Sequence, residues 1–228
     1  AHDYRTPEFL SGKRLLLLGL GNSAMDIAVE ASYIAEQVFL ASRRGTHVFP
    51  KYLWGVPTDH WLKPWVPSWF AQLVFSFMLR VQQGRVEHYG LPKPEHALMS
   101  AHPTISSTIL DRIGHGAIKP KANIAELMGR QVRFADGSLE EVDVIIYCTG
   151  YKVTFPFFDE SFIVAENNDL PLYRRMMKPK VNNLFFIGLY QPLGAIFPLA
   201  EVQGVIGAEY LLGRYAPPTN EEMEREMN

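Results

Sequence analysis

The sequence has a single cysteine, Cys148, among 228 residues. One thiol excludes an intrachain disulfide, a paired-cysteine redox centre and a metal cage of thiolates. Net charge is also small, because 22 Lys and Arg residues against 24 Asp and Glu residues leave a formal charge of −2. Such a balance gives no general attraction for nucleic acid. The seven histidines show no metal-ligand spacing such as His-Glu-x-x-His, so we predict neither a metal site nor a nucleic-acid partner.

Long apolar runs are scarce as well. The most apolar window, residues 64–79, has 16 residues and two prolines, whereas a membrane-spanning helix needs about 20 apolar residues. We predict a buried or interfacial helix at 68–82, with membrane contact through 64–82 as the alternative because its Trp and Phe content suits a bilayer interface. Residues 1–7 lack the apolar core of a signal peptide. These features predict a cytoplasmic protein, with membrane association as the alternative.

The first fifty residues have the strand–helix–strand pattern of a nucleotide-binding unit. Residues 14–18 (RLLLL) are continuously apolar, as in a strand buried on both faces of a parallel sheet. Helical spacing follows over 22–36, and 38–41 predict a second buried strand. Residues 46–105 are rich in Pro, Trp and His and predict an insertion, not a sheet. Later patterns predict strands at 132–134, 142–147 and 184–187, a tight turn at 135–138, a helix at 201–212 and a capping box at 219–222.

The loop after the first strand carries a G-x-G-x-x-A motif, in which each position has a physical task. Gly19 permits a tight turn, Gly21 lets a pyrophosphate approach the backbone, and Ala24 lets the helix pack close to the strand. The helix N-terminus and the side chains of Asn22 and Ser23 can donate hydrogen bonds to phosphates. We predict dinucleotide binding here. The alternative is a glycine turn that only packs a helix on a sheet.

The end of the second strand distinguishes the two nicotinamide cofactors. NAD-binding proteins usually place Asp or Glu there to bind the ribose 2′-hydroxyl. This chain has Ser42, Arg43 and Arg44 instead. The absence of a carboxylate and the presence of two guanidiniums predict binding of a 2′-phosphate, and therefore NADPH, with Arg43 or Arg44 as the main contact. A solvated basic turn is the alternative.

Taken in order, the motifs resemble those of the flavin-containing monooxygenases. Residues 4–5 (Tyr-Arg) resemble the tail of that family's F-x-G-x-x-x-H-x-x-x-Y-R fingerprint. Residues 38–45 resemble its arginine turn, 147–151 its Ala-Thr-Gly-Tyr motif with Cys148 in place of Ala, and 183–191 the stretch that returns to the flavin. The family's N-terminal G-x-G-x-x-G, which binds FAD, does not occur in this sequence. The resemblance therefore implies that the chain is the C-terminal half of a longer enzyme.

The resemblance implies an α/β fold in two parts. A Rossmann-like NADP-binding domain would cover residues 8–150, including the helical insertion at 46–105. Residues 151–228 would be the C-terminal portion of a second, FAD-binding Rossmann-like domain. Thr149 and Gly150 would lie at the crossover between these domains. The candidates for the flavin side are Gln191, Pro198, Glu201 and Gln203, with plain helix packing as their alternative role.

The resemblance also implies an activity. Members of the family reduce FAD with NADPH, capture O2 as a flavin hydroperoxide and transfer one oxygen atom to an amine or a sulfide. The partners would be a small-molecule substrate and O2, a homodimer is an open alternative, and no catalytic side chain is assigned. One alternative is a Baeyer–Villiger monooxygenase acting on ketones, although that group carries Trp-Pro where this chain has Tyr4 and Arg5. The others are an NADP-binding module without activity of its own and an NADP dehydrogenase, for which no Ser-Tyr-Lys-like set is visible.

Overall fold

The computed structural model describes residues 1–61, 65–192 and 195–227. The chain divides into two compact units, unit 1 (Ala1–Gly150) and unit 2 (Tyr151–Asn228). The strands of the described residues all lie in unit 1: β1 (Arg14–Leu18), β2 (Gln37–Ala41), β3 (Val48–Phe49), β4 (Tyr52–Leu53), β5 (Val56–Pro57), β6 (Thr104–Ile105), β7 (Ile118–Lys121), β8 (Ile124–Met128), β9 (Gln131–Phe134), β10 (Leu139–Glu141) and β11 (Val144–Tyr147). The α-helices are α1 (Asn22–Ala31), α2 (Ser68–Gln83), α3 (Ile109–Gly114), α4 (Phe197–Leu211) and α5 (Asn220–Met227). Short 3-10 helices lie at Glu8–Leu10, Thr58–Trp61, Val86–Tyr89 and Glu166–Asn168.

The centre of unit 1 is a four-stranded parallel sheet in the order β11-β1-β2-β7. Its leucines Leu15, Leu16 and Leu17 are fully buried, because α1 and α3 cover one face and the antiparallel sheet β10-β9-β8 covers the other. Burying each of these side chains contributes roughly 1.5–3 kcal/mol. β1 has β2 on one side and β11 on the other, so the strand order reverses at β1. This reversal is the topological switch point at which doubly wound sheets bind ligands.

Helix α1 begins at Asn22 as predicted but ends at Ala31, so the predicted continuation to residue 36 is wrong. The Ser32 hydroxyl donates to the Val29 carbonyl at 2.6 Å. Such a local bond from a side chain to the backbone competes with continuation of the helix. Arg112 of α3 then donates to both the hydroxyl and the carbonyl of Ser32. A cation at this end of the helix favours termination there, because the helix dipole is negative at its carboxyl end.

The insertion contains helix α2, as predicted, together with two short strand pairs that the sequence did not indicate. Strands β3 and β6 pair in parallel, and β4 and β5 form an antiparallel hairpin. The expectation that residues 46–105 hold no sheet is therefore wrong for these pairs. One side of α2 packs Phe75, Met78 and Leu79 into a local core with Phe49 and Leu53. Its other side exposes apolar residues, namely Trp69, Phe70, Leu73, Phe77 and Val81.

Of the strands that follow the insertion, β9 and β11 lie close to their predicted positions, whereas β7, β8 and β10 were not predicted. The predicted turn lies between β9 and β10, where Gly137 has φ +82° and the Asp136 carboxylate accepts from the Ser138 backbone N–H at 2.9 Å. Strand β11 begins at Val144, two residues later than predicted, so Val142 and Asp143 lie before it. None of the helices in the described residues is both long enough and apolar enough to cross a membrane.

Unit 2 is built around two small apolar clusters, one including Phe186 and the other including Met176. The predicted strand at 184–187 is wrong, since this stretch forms only an isolated bridge between Phe185 and Met177. Helix α4 begins at Phe197, earlier than the predicted residue 201. The predicted capping box is confirmed, because the Glu222 backbone N–H donates to the Thr219 hydroxyl and the Glu222 carboxylate accepts from the Thr219 backbone N–H.

Candidate functional site

The first glycine of the loop after β1 is required by the fold itself. Gly19 has φ +130°, and a Cβ at this position would lie 2.3 Å from the carbonyl oxygen of Cys148, which follows β11. The Gly19 N–H donates to the Ala41 carbonyl at the end of β2 at 2.8 Å. The loop is thus fixed between the carboxyl ends of the two strands that flank β1. Only glycine combines this backbone angle with so close an approach.

The second glycine is not required by packing. Gly21 has φ −77° and directly precedes α1, and a Cβ built on it would meet nothing within 4 Å. The surface over this residue is therefore open, and a ligand phosphate can approach its backbone without a side chain in the way. A glycine that the fold does not need, at the start of a helix, fits a pyrophosphate-binding loop.

The first turn of α1 presents backbone donors that have no intrahelical acceptor beside Gly21. The first bond of the helix runs from the Met25 N–H to the Gly21 carbonyl at 3.1 Å, so the N–H groups of Asn22, Ser23 and Ala24 precede any intrahelical acceptor. Ala24 is fully buried in the core between α1 and the sheet, which explains its small side chain. Ser23 is half-buried at the open edge of this turn.

The turn after β2 carries the two arginines, Arg43 and Arg44. Ser42 is buried, and its hydroxyl donates to the Arg44 carbonyl at 2.9 Å, which closes the turn. Arg43 and Arg44 are exposed, and neither forms an ion pair with a carboxylate whose position the structure describes, which leaves out Asp59 and residues 62–64, 193–194 and 228. Both guanidiniums are therefore available to an anionic ligand, as clamping of a 2′-phosphate requires.

Gly45 is a residue of this turn whose role the sequence did not reveal. A Cβ on Gly45 would lie 2.2 Å from the Pro92 carbonyl oxygen and 2.4 Å from the carbonyl carbon of Lys93. The backbone of the insertion therefore packs directly against the turn and fixes the point at which the chain leaves it. The only sequence signal was a glycine directly after two arginines, which could not identify the segment that packs on it.

Thr149 and Gly150 complete the carboxyl edge of the sheet. They follow β11, the neighbour of β1, and both are exposed; Gly150 has φ +102° with open space around it. Burial raises the pKa of the preceding Cys148 thiol, which keeps it neutral. The structure thus gathers the glycine loop, the arginine turn and these two residues along one edge of one sheet, at the switch point.

The opposite, amino end of the sheet carries ion pairs with a different role. Asp143 accepts hydrogen bonds from the Arg14 backbone N–H and guanidinium at 2.9–3.0 Å and is also paired with Arg130. These bonds, chiefly those from the Arg14 side chain, hold the pKa of Asp143 well below its usual range. Arg14 also pairs with Glu141. Because this cluster joins the first residues of β1 to the segment before β11, its role is to stabilise the sheet.

The four candidates in unit 2 are not alike. Gln203 is 8% exposed, and its side-chain oxygen accepts from the Gly188 N–H at 2.9 Å while its amide nitrogen donates to the Arg174 carbonyl at 3.4 Å. It therefore packs α4 against its own unit. Gln191, Pro198 and Glu201 are exposed, with Pro198 in the first turn of α4. No hydrogen bond among the described residues brings these three together, and their flavin role remains a prediction.

The fold and the edge geometry define a Rossmann-type α/β protein whose glycine loop and arginine turn share one edge of the parallel sheet. The family model described as flavin-binding monooxygenase-like matches residues 1–228, and the chain belongs to that family, as its motifs predicted. It is 36% identical over 238 residues to flavin-containing monooxygenase 5 of Cavia porcellus, covering 100% of this chain and 44% of that protein. It is 35% identical over 234 residues to dimethylaniline monooxygenase (N-oxide-forming) 2 of Oryctolagus cuniculus, covering 98% of this chain and 44% of that protein. The chain thus spans less than half the length of these relatives.

Solved structures confirm the predicted α/β fold. S-allyl-L-cysteine S-oxygenase from Allium sativum matches 99% of this chain, and 39% of its own, with TM-score 0.59 and 23% identity. Tmm from Pelagibacter sp. strain HTCC7211 matches 100% of this chain and 38% of its own, with TM-score 0.61 and 20% identity. Cyclohexanone monooxygenase from Rhodococcus sp. Phi1 bound to NADP+ matches 96% of this chain and 56% of its own, with TM-score 0.61 and 15% identity. At these identities the likeness shows the fold alone.

Proposed function

We propose that this chain binds NADPH at the carboxyl edge of the parallel sheet in unit 1. It would do so as part of an NADPH- and FAD-dependent monooxygenase that transfers one oxygen atom from O2 to an amine or a sulfide. The observation that carries the proposal is that the open backbone at Gly21 shares this edge with the exposed guanidiniums of Arg43 and Arg44, which pair with no carboxylate that the structure describes. Neither feature is needed for packing, and both fit the phosphates of NADPH.

The residues of unit 1 divide the binding between them. The unpaired N–H groups of Asn22, Ser23 and Ala24 would donate to the pyrophosphate, assisted by the positive end of the α1 dipole. Arg43 and Arg44 would bind the 2′-phosphate through charged hydrogen bonds. Gly19 and Ser42 would hold the two loops in shape, and Thr149 and Gly150 would border the site at the end of β11.

The chemistry itself would come from the cofactors, NADPH supplying a hydride and FAD the reaction with oxygen. The contribution of the chain is to bind and orient the nucleotide and to limit the access of water. We assign residues 8–150 to the NADP-binding domain and 151–228 to the FAD-binding domain. Gln191, Pro198, Glu201 and Gln203 remain the candidates for the flavin side.

The amine is the better supported of the two substrate classes. The rabbit relative is named as an N-oxide-forming dimethylaniline monooxygenase, so its substrate is a tertiary amine. The Baeyer–Villiger alternative has less support, because the likeness to cyclohexanone monooxygenase is at 15% identity and shows only the fold. Tyr4 and Arg5 also stand where that group carries Trp-Pro.

We expect the chain alone to be inactive, so the test is a turnover experiment with the full-length enzyme of which we propose it is the C-terminal half. That enzyme is supplied with FAD, NADPH and O2, and with N,N-dimethylaniline or a thioether as substrate. Retention of FAD after gel filtration and substrate-dependent NADPH oxidation are expected. The N-oxide or sulfoxide product should carry 18O when 18O2 is supplied. NADPH binding without flavin retention would support an inactive NADP-binding module instead. NADPH oxidation that does not need O2 would support a dehydrogenase.

Two further partner predictions concern surfaces. Membrane contact through residues 64–82, of which residue 64 lies outside the described residues, stays the alternative to a buried or interfacial helix. The support is the exposed apolar side of α2, on which Trp69, Leu73 and Phe77 follow one another at four-residue spacing and are each at least 65% exposed. The same surface would also fit a homodimer. Burial of the surface by lipid vesicles would support membrane contact, and its burial by a second copy of the chain would support the homodimer.

A further inference from the structure

Strand β6 of the insertion contacts the glycine loop although some eighty residues separate them in sequence. Thr104 is 3% exposed, and its hydroxyl donates to the Leu20 carbonyl at 2.8 Å. Leu20 is the residue between the two glycines of the loop. The next residue of the strand, Ile105, donates its backbone N–H to the Asn22 side-chain oxygen at 2.7 Å. One short strand therefore holds both the loop and the first residue of α1.

The hydroxyl of Thr104 also joins the glycine loop to the arginine turn. It lies 3.2 Å from the hydroxyl of Thr46, two residues beyond Arg44. A carbonyl only accepts, so the single proton of Thr104 goes to Leu20, and the Thr46 hydroxyl must donate to Thr104. The result is a directed chain of hydrogen bonds from Thr46 through Thr104 to Leu20. Its two ends adjoin the two loops assigned to the phosphates.

The contact from Ile105 fixes the orientation of the Asn22 amide. A backbone N–H can pair only with the oxygen of that amide, so its NH2 group is turned away from β6. Among the side chains and carbonyls that the structure describes, none accepts a hydrogen bond from the Asn22 amide nitrogen. The insertion thus leaves the donor end of this side chain for a ligand.

We propose that Thr104 is a positioning residue for NADP: its hydroxyl sets the shape of the pyrophosphate loop and ties that loop to the arginine turn. The inference rests on the proposed NADPH site. Val has nearly the same shape and volume as Thr, so replacing Thr104 with Val keeps the packing of this buried position and removes the hydroxyl with its two bonds. Without it, the Leu20 carbonyl and the Thr46 hydroxyl would both lose their partner.

The test compares Thr104→Val with Thr104→Ser by isothermal titration with NADP+ at 25 °C. Val removes both bonds at nearly constant volume, whereas Ser keeps the hydroxyl. We expect Thr104→Val to weaken NADP+ binding by roughly threefold to tenfold, the factor that corresponds to one neutral hydrogen bond, and Thr104→Ser to bind as the wild type does. The matched control is Thr58→Val, which removes another hydroxyl-to-carbonyl bond of the insertion, to Pro50. It should leave NADP+ affinity unchanged.

Thermal unfolding without nucleotide separates positioning from stability. If Thr104→Val lowers the Tm but leaves NADP+ affinity unchanged at 25 °C, Thr104 is only structural and the inference is overturned. If Thr104→Val does not fold, Thr46→Val replaces it, since that change removes the donor to Thr104 and leaves Leu20 paired. We expect a smaller loss of affinity from Thr46→Val, and wild-type affinity there would overturn the inference. Failure of the proposed function is distinct, because the wild type itself would then not bind NADP+.

Discussion

Replacing both Arg43 and Arg44 with alanine should separate the two nicotinamide cofactors. Both side chains are exposed, and their removal breaks no ion pair or side-chain hydrogen bond that the structure describes. Substitutions at such surface positions usually change stability by no more than about 0.5 kcal/mol. An effect on nucleotide affinity would therefore report a lost contact with the ligand and not a damaged fold.

The size of the effect follows from the exposure of the two guanidiniums. A hydrogen bond to a charged group contributes roughly 1.5–3 kcal/mol, and solvent screening favours the lower value here. About 1.5 kcal/mol for each arginine corresponds to roughly tenfold in affinity for each. Because the two are adjacent in sequence, their effects need not add, and the double variant should lose between roughly tenfold and a hundredfold.

The assay is titration of wild type and the double variant with NADP+ and NAD+, in parallel, at low and high salt. We expect the loss for NADP+ alone, because NAD+ has no 2′-phosphate. The difference should shrink at about 1 M salt, where the Debye length is only about 3 Å. The control is Arg80→Ala with Arg85→Ala, which removes two exposed arginines at and beyond the carboxyl end of α2. Equal losses for NADP+ and NAD+, or the same loss in the control, would refute the assignment of the arginine turn.

Three other predictions concern stability and the glycine loop. Gly19→Ala should destabilise the protein by roughly 1–3 kcal/mol or more, because position 19 has a positive φ and the Cys148 carbonyl lies close to it. Gly21→Ala should change stability by less than about 1 kcal/mol but weaken NADP+ binding. Urea unfolding measures the stability and titration the binding, and equal unfolding midpoints for the two variants would contradict this prediction. Gln203→Leu should cost roughly 1–3 kcal/mol by leaving the Gly188 N–H unpaired, and an unchanged urea midpoint would argue against that role. Because the pKa of Asp143 is lowered in the folded protein, its contribution to the free energy of unfolding is complete above about pH 4 and is lost as pH falls further. The stability difference between wild type and Asp143→Asn should therefore be constant near neutral pH and shrink in acid, and a difference that grows in acid would contradict the ion pair.

The nucleotide-binding half of unit 1 could be predicted because its signals are local. The apolar run at 14–18, the helical spacing after it and the glycines between them all lie within one strand–helix–strand unit. The same holds for the turn at Asp136 and Gly137 and for the capping box of α5. In each case the residues that interact are a few positions apart, so the pattern in the sequence is also the contact.

Features that depend on distant partners could not be predicted. Thr104 and Leu20 are 84 positions apart, and no periodicity pairs a threonine of the insertion with a carbonyl in the glycine loop. The clash that requires glycine at position 45 likewise involves a segment far along the chain. The apolar run at 184–187 indicated burial correctly for Phe186 but could not show whether a partner strand exists.

Hydrogen–deuterium exchange with NADP+ and NAD+ tests the central claim most directly. The amides of Asn22, Ser23 and Ala24 have no intrahelical acceptor, so they should exchange fast without nucleotide and slowly once a pyrophosphate accepts their hydrogen bonds. We predict that NADP+ slows exchange at 19–24 and 42–45, whereas NAD+ at saturating concentration slows it at 19–24 alone. Saturation with NADP+ that leaves exchange at 19–24 unchanged would contradict the account.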